Sequence, residues 1–172
     1  MANAGELANH PNLIPHTPTA NVFNVNDLNA LSSTVTEIIV ENRCCRDPSF
    51  TVLDLTRFTS VRRIVIGHDA FMYVEEVKII GLSELESVEI GMNSFTKEKN
   101  SYGNDPNRHF YLKNCPKLKS LKVGRYSFSD YTVIEIENVD ALEVIEMGEL
   151  NEESNNFYSA SLQLSSVIVC VE

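Results

Sequence analysis

The side chains able to do chemistry are few and far apart in the chain. His68 and Asp69 are adjacent. A general-base pair, however, needs a nucleophile and oxyanion donors converging on it, and the flanking residues offer neither. The carboxylate pairs Glu75-Glu76 and Glu152-Glu153 fall where turns are expected, and solvated surface charge accounts for them better than acid/base work. His10 and His16 stand in an Asn- and Pro-rich leader and read as solvated. Gly81, Gly91 and Gly103 are isolated in separate turns, so no loop cradles a phosphate. The expectation is a chain with no catalytic residues, no metal and no cofactor.

Cys44, Cys45, Cys115 and Cys170 form no Cys-x-x-Cys and have no His pair at ligand spacing beside them, which argues against zinc. Four Cys in 172 residues are also sparse for a disulfide framework. They read as buried reduced thiols, which favours a reducing, cytoplasmic setting. The first twenty residues lack the basic start and apolar run of a secretory signal, and no Asn-x-Ser/Thr acceptor occurs. A cell-surface or extracellular location stays open if a signal peptide has been removed. The net charge of −10 disfavours nucleic acid, which needs a cationic field. With 43% hydrophobic and 22% charged residues the chain should fold. No stretch approaches the roughly 20 apolar residues of a membrane-spanning helix.

What must position these side chains is a repeat. Segments beginning at Val61, Leu85, Leu118 and Leu142 read VRRIVIG, LESVEIG, LKSLKVG and LEVIEMG, each apolar-x-x-apolar-x-apolar-Gly. They start 24, 33 and 24 residues apart, and a poorer copy begins at Val35. An aromatic follows three of the glycines, at Phe71, Phe95 and Phe128, and the unit after Gly148 departs from this pattern. A second apolar ladder alternates at period two in Leu53/Leu55, Val77/Ile79, Phe110/Leu112, Ile134/Ile136 and Leu162/Leu164, with a faint copy at Phe23/Val25/Leu28. Period-two alternation rich in Val, Ile and Phe indicates strands.

Each unit therefore predicts two short strands joined by turns, with the Gly at a left-handed or tightly packed bend. One unit cannot bury its own apolar face, so units must stack about 4.8 Å apart with ladders in register. The predicted columns are Val61-Leu85-Leu118-Leu142, Ile64-Val88-Leu121-Ile145 and Ile66-Ile90-Val123-Met147, with Phe71-Phe95-Phe128 in a corner and Leu55-Ile79-Leu112-Ile136-Leu164 on the second face. A β-sandwich would also alternate but would not need so regular a repeat.

The unit Leu118-x-x-Leu121-x-Val123-x-x-Tyr126-x-Phe128, with its sister Leu85-x-x-Val88-x-Ile90-x-x-Asn93-x-Phe95, resembles the conserved half of leucine-rich repeats. The strand-like second half is similar to repeats of bacterial and protist surface proteins. The resemblance spans about residues 35–171. It implies an all-β, right-handed solenoid of about five coils with two short parallel strands per coil, whose parallel sheet serves as a binding face. Residues 35–172 form the solenoid, with units near 35, 61, 85, 118 and 142, and residues 1–34 form a polar leader and N-terminal cap. The ninth repeat position holds Asn only at Asn93, being Asp69, Tyr126 and Leu150 elsewhere.

Across the rungs, the second unit position runs Arg62, Glu86, Lys119, Glu143 and the fifth runs Val65, Glu89, Lys122, Glu146. This alternation of charge stabilises the stacking register. It also offers a mixed-charge face on which Arg62, Arg63, Lys119 and Lys122 meet carboxylates of a protein partner while the four glutamates meet amines. An insertion at 97–107 should project from one edge, with Lys97, Lys99, Tyr102, Arg108 and His109 as contact residues. A smaller insertion, NEESNN from Asn151, reads as an acidic turn. The β-prone run Val167 to Val171 suggests a different role, homo-oligomerisation by edge pairing. The functional expectation is a non-catalytic module that binds a protein partner, the alternative being a structural protein that stacks through its C-terminal edge.

Overall fold

A computed structural model describes residues 18–97, 105–149, 153–158 and 160–165. Strands make up 34% of it. In chain order they are β1 (Thr19–Val22), β2 (Glu37–Val40), β3 (Val52–Asp54), β4 (Arg63–Ile66), β5 (Glu76–Ile80) and β6 (Ser87–Ile90). They continue with β7 (His109–Lys113), β8 (Ser120–Val123), β9 (Val133–Glu137), β10 (Val144–Met147) and β11 (Ser161–Ser165). Successive strands from β2 onward alternate between two sheets. The first has the order β1-β2-β4-β6-β8-β10 and the second β11-β9-β7-β5-β3. Every pairing is parallel. Neither sheet closes on itself.

The register follows from the apolar alternation. Ile64 pairs with Val88, Val88 with Leu121 and Leu121 with Ile145, while Ile66, Ile90, Val123 and Met147 form the next column. On the second sheet Ile79, Leu112, Ile136 and Leu164 align, beside Val77, Phe110, Ile134 and Leu162. These inward residues are buried through the interior rungs, as are Val61, Leu85 and Leu118. A one-residue slip would turn each apolar set outward, which is why the register is unambiguous.

The bends are built from paired residues with positive φ: Arg43 and Cys45, Asp69 and Phe71, Asn93 and Phe95, Tyr126 and Phe128, Asn155 and Phe157. The left-handed region costs an ordinary side chain of order 1–2 kcal/mol. Here it reverses the peptide so that in the three interior pairs, Asp69/Phe71, Asn93/Phe95 and Tyr126/Phe128, the two N–H groups reach opposite neighbours. Asn93 N–H donates forward to the Arg125 carbonyl, and Phe95 N–H donates back to that of Ala70. The rings then stack, Phe71 on Phe95 at 5.1 Å and Phe95 on Phe128 at 4.6 Å. A hydroxyl ladder runs beside them: Ser94 Oγ donates to the Gly67 carbonyl and Ser127 Oγ to that of Gly91.

Three expectations are corrected here. The unit after Gly148 keeps the aromatic column, because Phe157 stacks on Phe128 at 4.8 Å and is merely displaced along the chain by the acidic insertion. The segment read as a faint strand ladder at Phe23/Val25/Leu28 is instead helix α1 (Val25–Ala30). Asn24 caps it: its side chain accepts from the amides of Asn26 and Asp27, and the Asp27 carboxylate accepts from the Asn24 amide in return. Finally, Cys44 and Cys45 are not separate thiols. They are joined as a disulfide between adjacent residues, with Cys45 occupying the bend position that Phe71 fills one rung later. Cys115 is a buried free thiol, its pKa pushed up by burial, and Cys170 lies outside the described residues.

Candidate functional site

The outward face of the first sheet carries the fifth-position charge row. Pairing Val65↔Glu89, Glu89↔Lys122 and Lys122↔Glu146 sets the fifth-position row straight across the strands. The second-position row lies on the margin where the strands enter the sheet. Its backbone is linked rung to rung, Glu86 N–H donating to the Arg62 carbonyl at 2.8 Å, Lys119 to Glu86 at 2.9 Å and Glu143 to Lys119 at 2.9 Å. The alternation read from the sequence is therefore a real spatial alternation at one-strand spacing.

The two rows differ in how far their charges are satisfied internally. Lys122 pairs with Glu146 at 3.0 Å, and Arg63 bridges Glu37 at 2.6 Å and Glu89 at 3.5 Å. The hydrogen bond from Arg63 is the first cause holding the Glu37 carboxyl below its ordinary pKa, followed by the hydrogen bond from Thr19. By contrast Arg62, Glu86, Lys119 and Glu143 are all exposed, and among the described residues their side chains make no hydrogen bond or ion pair. The Arg62 charge only assists Lys117 in holding Glu84 below its ordinary pKa.

The second sheet's outer face is more self-contained. Lys113 bonds Glu135 and lies 3.3 Å from Glu137, and Lys78 lies 2.9 Å from Glu76. Hydrogen bonds to those carboxylates are the first causes raising both lysine pKa values. His109, expected as a loop contact, is half-buried: one ring nitrogen meets the Tyr111 hydroxyl at 2.7 Å and the other the Pro106 carbonyl at 2.9 Å.

The inserted loop is only partly described. Lys97 is exposed, its backbone N–H donating to Asp130, and Lys99 and Tyr102 lie outside the described residues. Arg108 corrects the reading of it as a contact residue, since it is 1% exposed. Its guanidinium donates to Asp130 at 3.0 Å and to the carbonyls of Phe95 and Met72 at 3.1 and 2.9 Å. Nε lies 3.8 Å from an Asp105 oxygen, beyond hydrogen-bond reach. Tyr131 faces the guanidinium and donates to the Val74 carbonyl, and burial pushes its phenol well above its usual pKa. These residues tie three rungs together at the foot of the loop.

Among the described residues no group of three or more His, Cys, Asp or Glu could hold a metal ion, and no helix is long and apolar enough to cross a membrane. His68 Nδ1 accepts from the Met92 amide, so this imidazole serves the neighbouring rung. The run Val167 to Val171 lies outside the described residues. Beside it in the chain, the last rung leaves its inward positions open: Ile145 is 42% exposed and Leu164 59%, where Leu121 and Ile136 one rung earlier are each at 1%. Comparison with protein-family models, with curated proteins and with solved structures gives no match.

Proposed function

We propose that this chain is a right-handed, leucine-rich-repeat-like solenoid that acts as a non-catalytic binding module, docking a protein partner on the face of its six-stranded sheet. The observation that carries the reading is the row Arg62, Glu86, Lys119 and Glu143: four exposed side chains of alternating sign along the margin where the strands enter the parallel sheet, unpaired among the described residues. Their backbones are hydrogen-bonded rung to rung, which fixes their spacing, and charges left unpaired internally are the ones free to choose a partner. The neighbouring Arg63, Glu89, Lys122 and Glu146 flank the row and can exchange internal pairs for external ones.

The test is partner capture by chemical cross-linking in cell extract, comparing the wild-type chain with a variant carrying Arg62→Glu and Lys119→Glu. Partners that vanish with the double reversal while circular dichroism is unchanged support the reading. Partners retained by the variant at wild-type yield would sink it.

A second reading, assembly by stacking rungs end to end, is favoured by the exposure of Ile145, Met147, Leu162 and Leu164 on the last described rung. In that case Leu164→Lys and Ile145→Lys abolish assembly, and reversal of the charge row leaves it intact.

A further inference from the structure

We infer that the partner on the six-stranded sheet is a second copy of this chain, related by a two-fold axis that lies in the interface, parallel to the strands and midway between β6 and β8. This rests on reading that sheet as a docking face and adds the identity of the occupant. The ground is charge complementarity. A two-fold axis parallel to the strands reverses the order of the rungs and keeps each row opposite itself. The row Arg62, Glu86, Lys119, Glu143 then meets its own reverse. Arg62 faces Glu143 of the second copy, Glu86 faces Lys119 of the second copy, and symmetry repeats both pairs.

The fifth-position row obeys the same operation, with Glu89 facing Lys122 of the second copy. No like charges meet in either row. Other placements of the axis do less well, since axes midway between β4 and β6 or between β8 and β10 oppose no like charges but pair only Arg62 with Glu86 or only Lys119 with Glu143. An axis on β6 opposes Glu86 to its own copy and Arg62 to Lys119, and an axis on β8 opposes Lys119 to its own copy and Glu86 to Glu143. Repulsion therefore excludes an axis on a strand, and the central midway axis is favoured because it alone pairs all four residues of the row. Sheets packed face to face sit about 10 Å apart and about 30° from parallel, so the rows cross and the pairs nearest the axis, Glu86 with Lys119, stay opposed best. Arg, Lys and Glu side chains are long enough to meet across such a gap, and of the residues between the rows Ser87 and Ser120 at the centre are small, while Arg63 and Val144 at the flanks face each other.

The complementarity also dictates the experiment, sedimentation velocity of the full chain from dilute to concentrated solution. The wild-type chain is expected to form dimers at about 0.05 M salt and to dissociate near 1 M, where the screening length falls to about 3 Å. Glu86→Lys alone places lysine against Lys119 twice, and Lys119→Glu alone places carboxylates against Glu86 twice. Each is expected to weaken the dimer about tenfold or more. Mixed in equal amounts the two variants complement each other at every position and are expected to form a heterodimer of wild-type strength. The double variant Glu86→Lys/Lys119→Glu pairs with itself, and it carries the test if either single variant folds poorly.

A wild-type chain that stays monomeric, or a mixture no stronger than its components, overturns the second copy as occupant. Dimers that survive both single reversals overturn it too and point to the exposed last rung. In each case loss of cross-linked partners from the Arg62→Glu/Lys119→Glu variant still reports separately on the docking face.

Discussion

Arg108 is charged and 1% exposed, which commits the surrounding bend to satisfying it. A buried cation is tolerable only when paired, and removing one partner of such a pair costs about 3–5 kcal/mol because the other charge is stranded. Arg108→Met should therefore lower the free energy of unfolding by that order, read as a lower urea midpoint, and pairing it with Asp130→Leu should recover part of the loss. An unchanged midpoint in the single variant would show that Asp130 is not held by this arginine. A contrasting ionic contact is Arg63 with Glu37, whose side chains are 48% and 23% exposed. Because the folded state lowers the Glu37 pKa, its stabilisation is complete above the ordinary Glu range and is lost as pH falls through the depressed value. In Arg63→Gln the Glu37 carboxyl should titrate upward toward the ordinary Glu range, read by NMR, and the acid limb of stability should flatten. Arg62, Glu86, Lys119 and Glu143 were legible as a row from the sequence because repeat spacing places them. Arg108 was not, because a cation in a polar stretch reads as surface until Asp130, in the next unit, is known to sit beside it.

At the scale of the element, what sets the stacking distance is the glycine at each strand exit. A Cβ built on Gly124 would lie 2.6 Å from the Gly91 carbonyl carbon and the Met92 nitrogen, and one on Gly91 would lie 2.7 Å from the Gly67 carbonyl carbon. These are backbone atoms that cannot move aside without parting the rungs. Gly124→Ala should thus cost about 1–3 kcal/mol by overpacking, measured by chemical denaturation. The equivalent change at Gly81, where nothing lies within 4 Å, costs only through its φ of +73°. A Gly124→Ala protein as stable as wild type would mean that neighbouring bends are not in contact. The sequence showed the glycines and the apolar columns, since strict alternation leaves one register that buries them. It concealed α1, where Val25 and the preceding Phe23 mimic a strand, although Asn24 and Asp27 already form the capping pair. It concealed the Phe157 rung because the insertion after Gly148 moves the aromatic away from its usual offset. The bond between Cys44 and Cys45 was hidden because sparse cysteines suggest isolated thiols.

Over the whole molecule each strand pairs only with its neighbours, so stability should be distributed along the stack largely according to how many neighbours a rung has. The two ends are finished differently. At one, β1 adds a strand to β2, Leu28 of α1 is buried, and Arg57 donates to the carbonyls of Leu28 and Asn29, pinning the helix over the end of the second sheet. At the other, β10 and β11 each pair on one side only among the described residues, and Met147 and Leu162 are exposed at 39% and 56%. Opening the last rung therefore gives up little buried apolar surface, whereas opening an interior rung breaks ladders on both sides. Hydrogen exchange should be slowest in β5 to β8, intermediate in β1 and β2, and fastest in β10 and β11, because local opening energies track buried contact. If β10 and β11 exchange as slowly as β6 and β8 in dilute solution, the stack opens as one cooperative unit and the nearest-neighbour picture fails. If their protection instead grows with protein concentration, a second chain is covering that end, and whether Glu86→Lys abolishes the effect separates end stacking from face-to-face pairing.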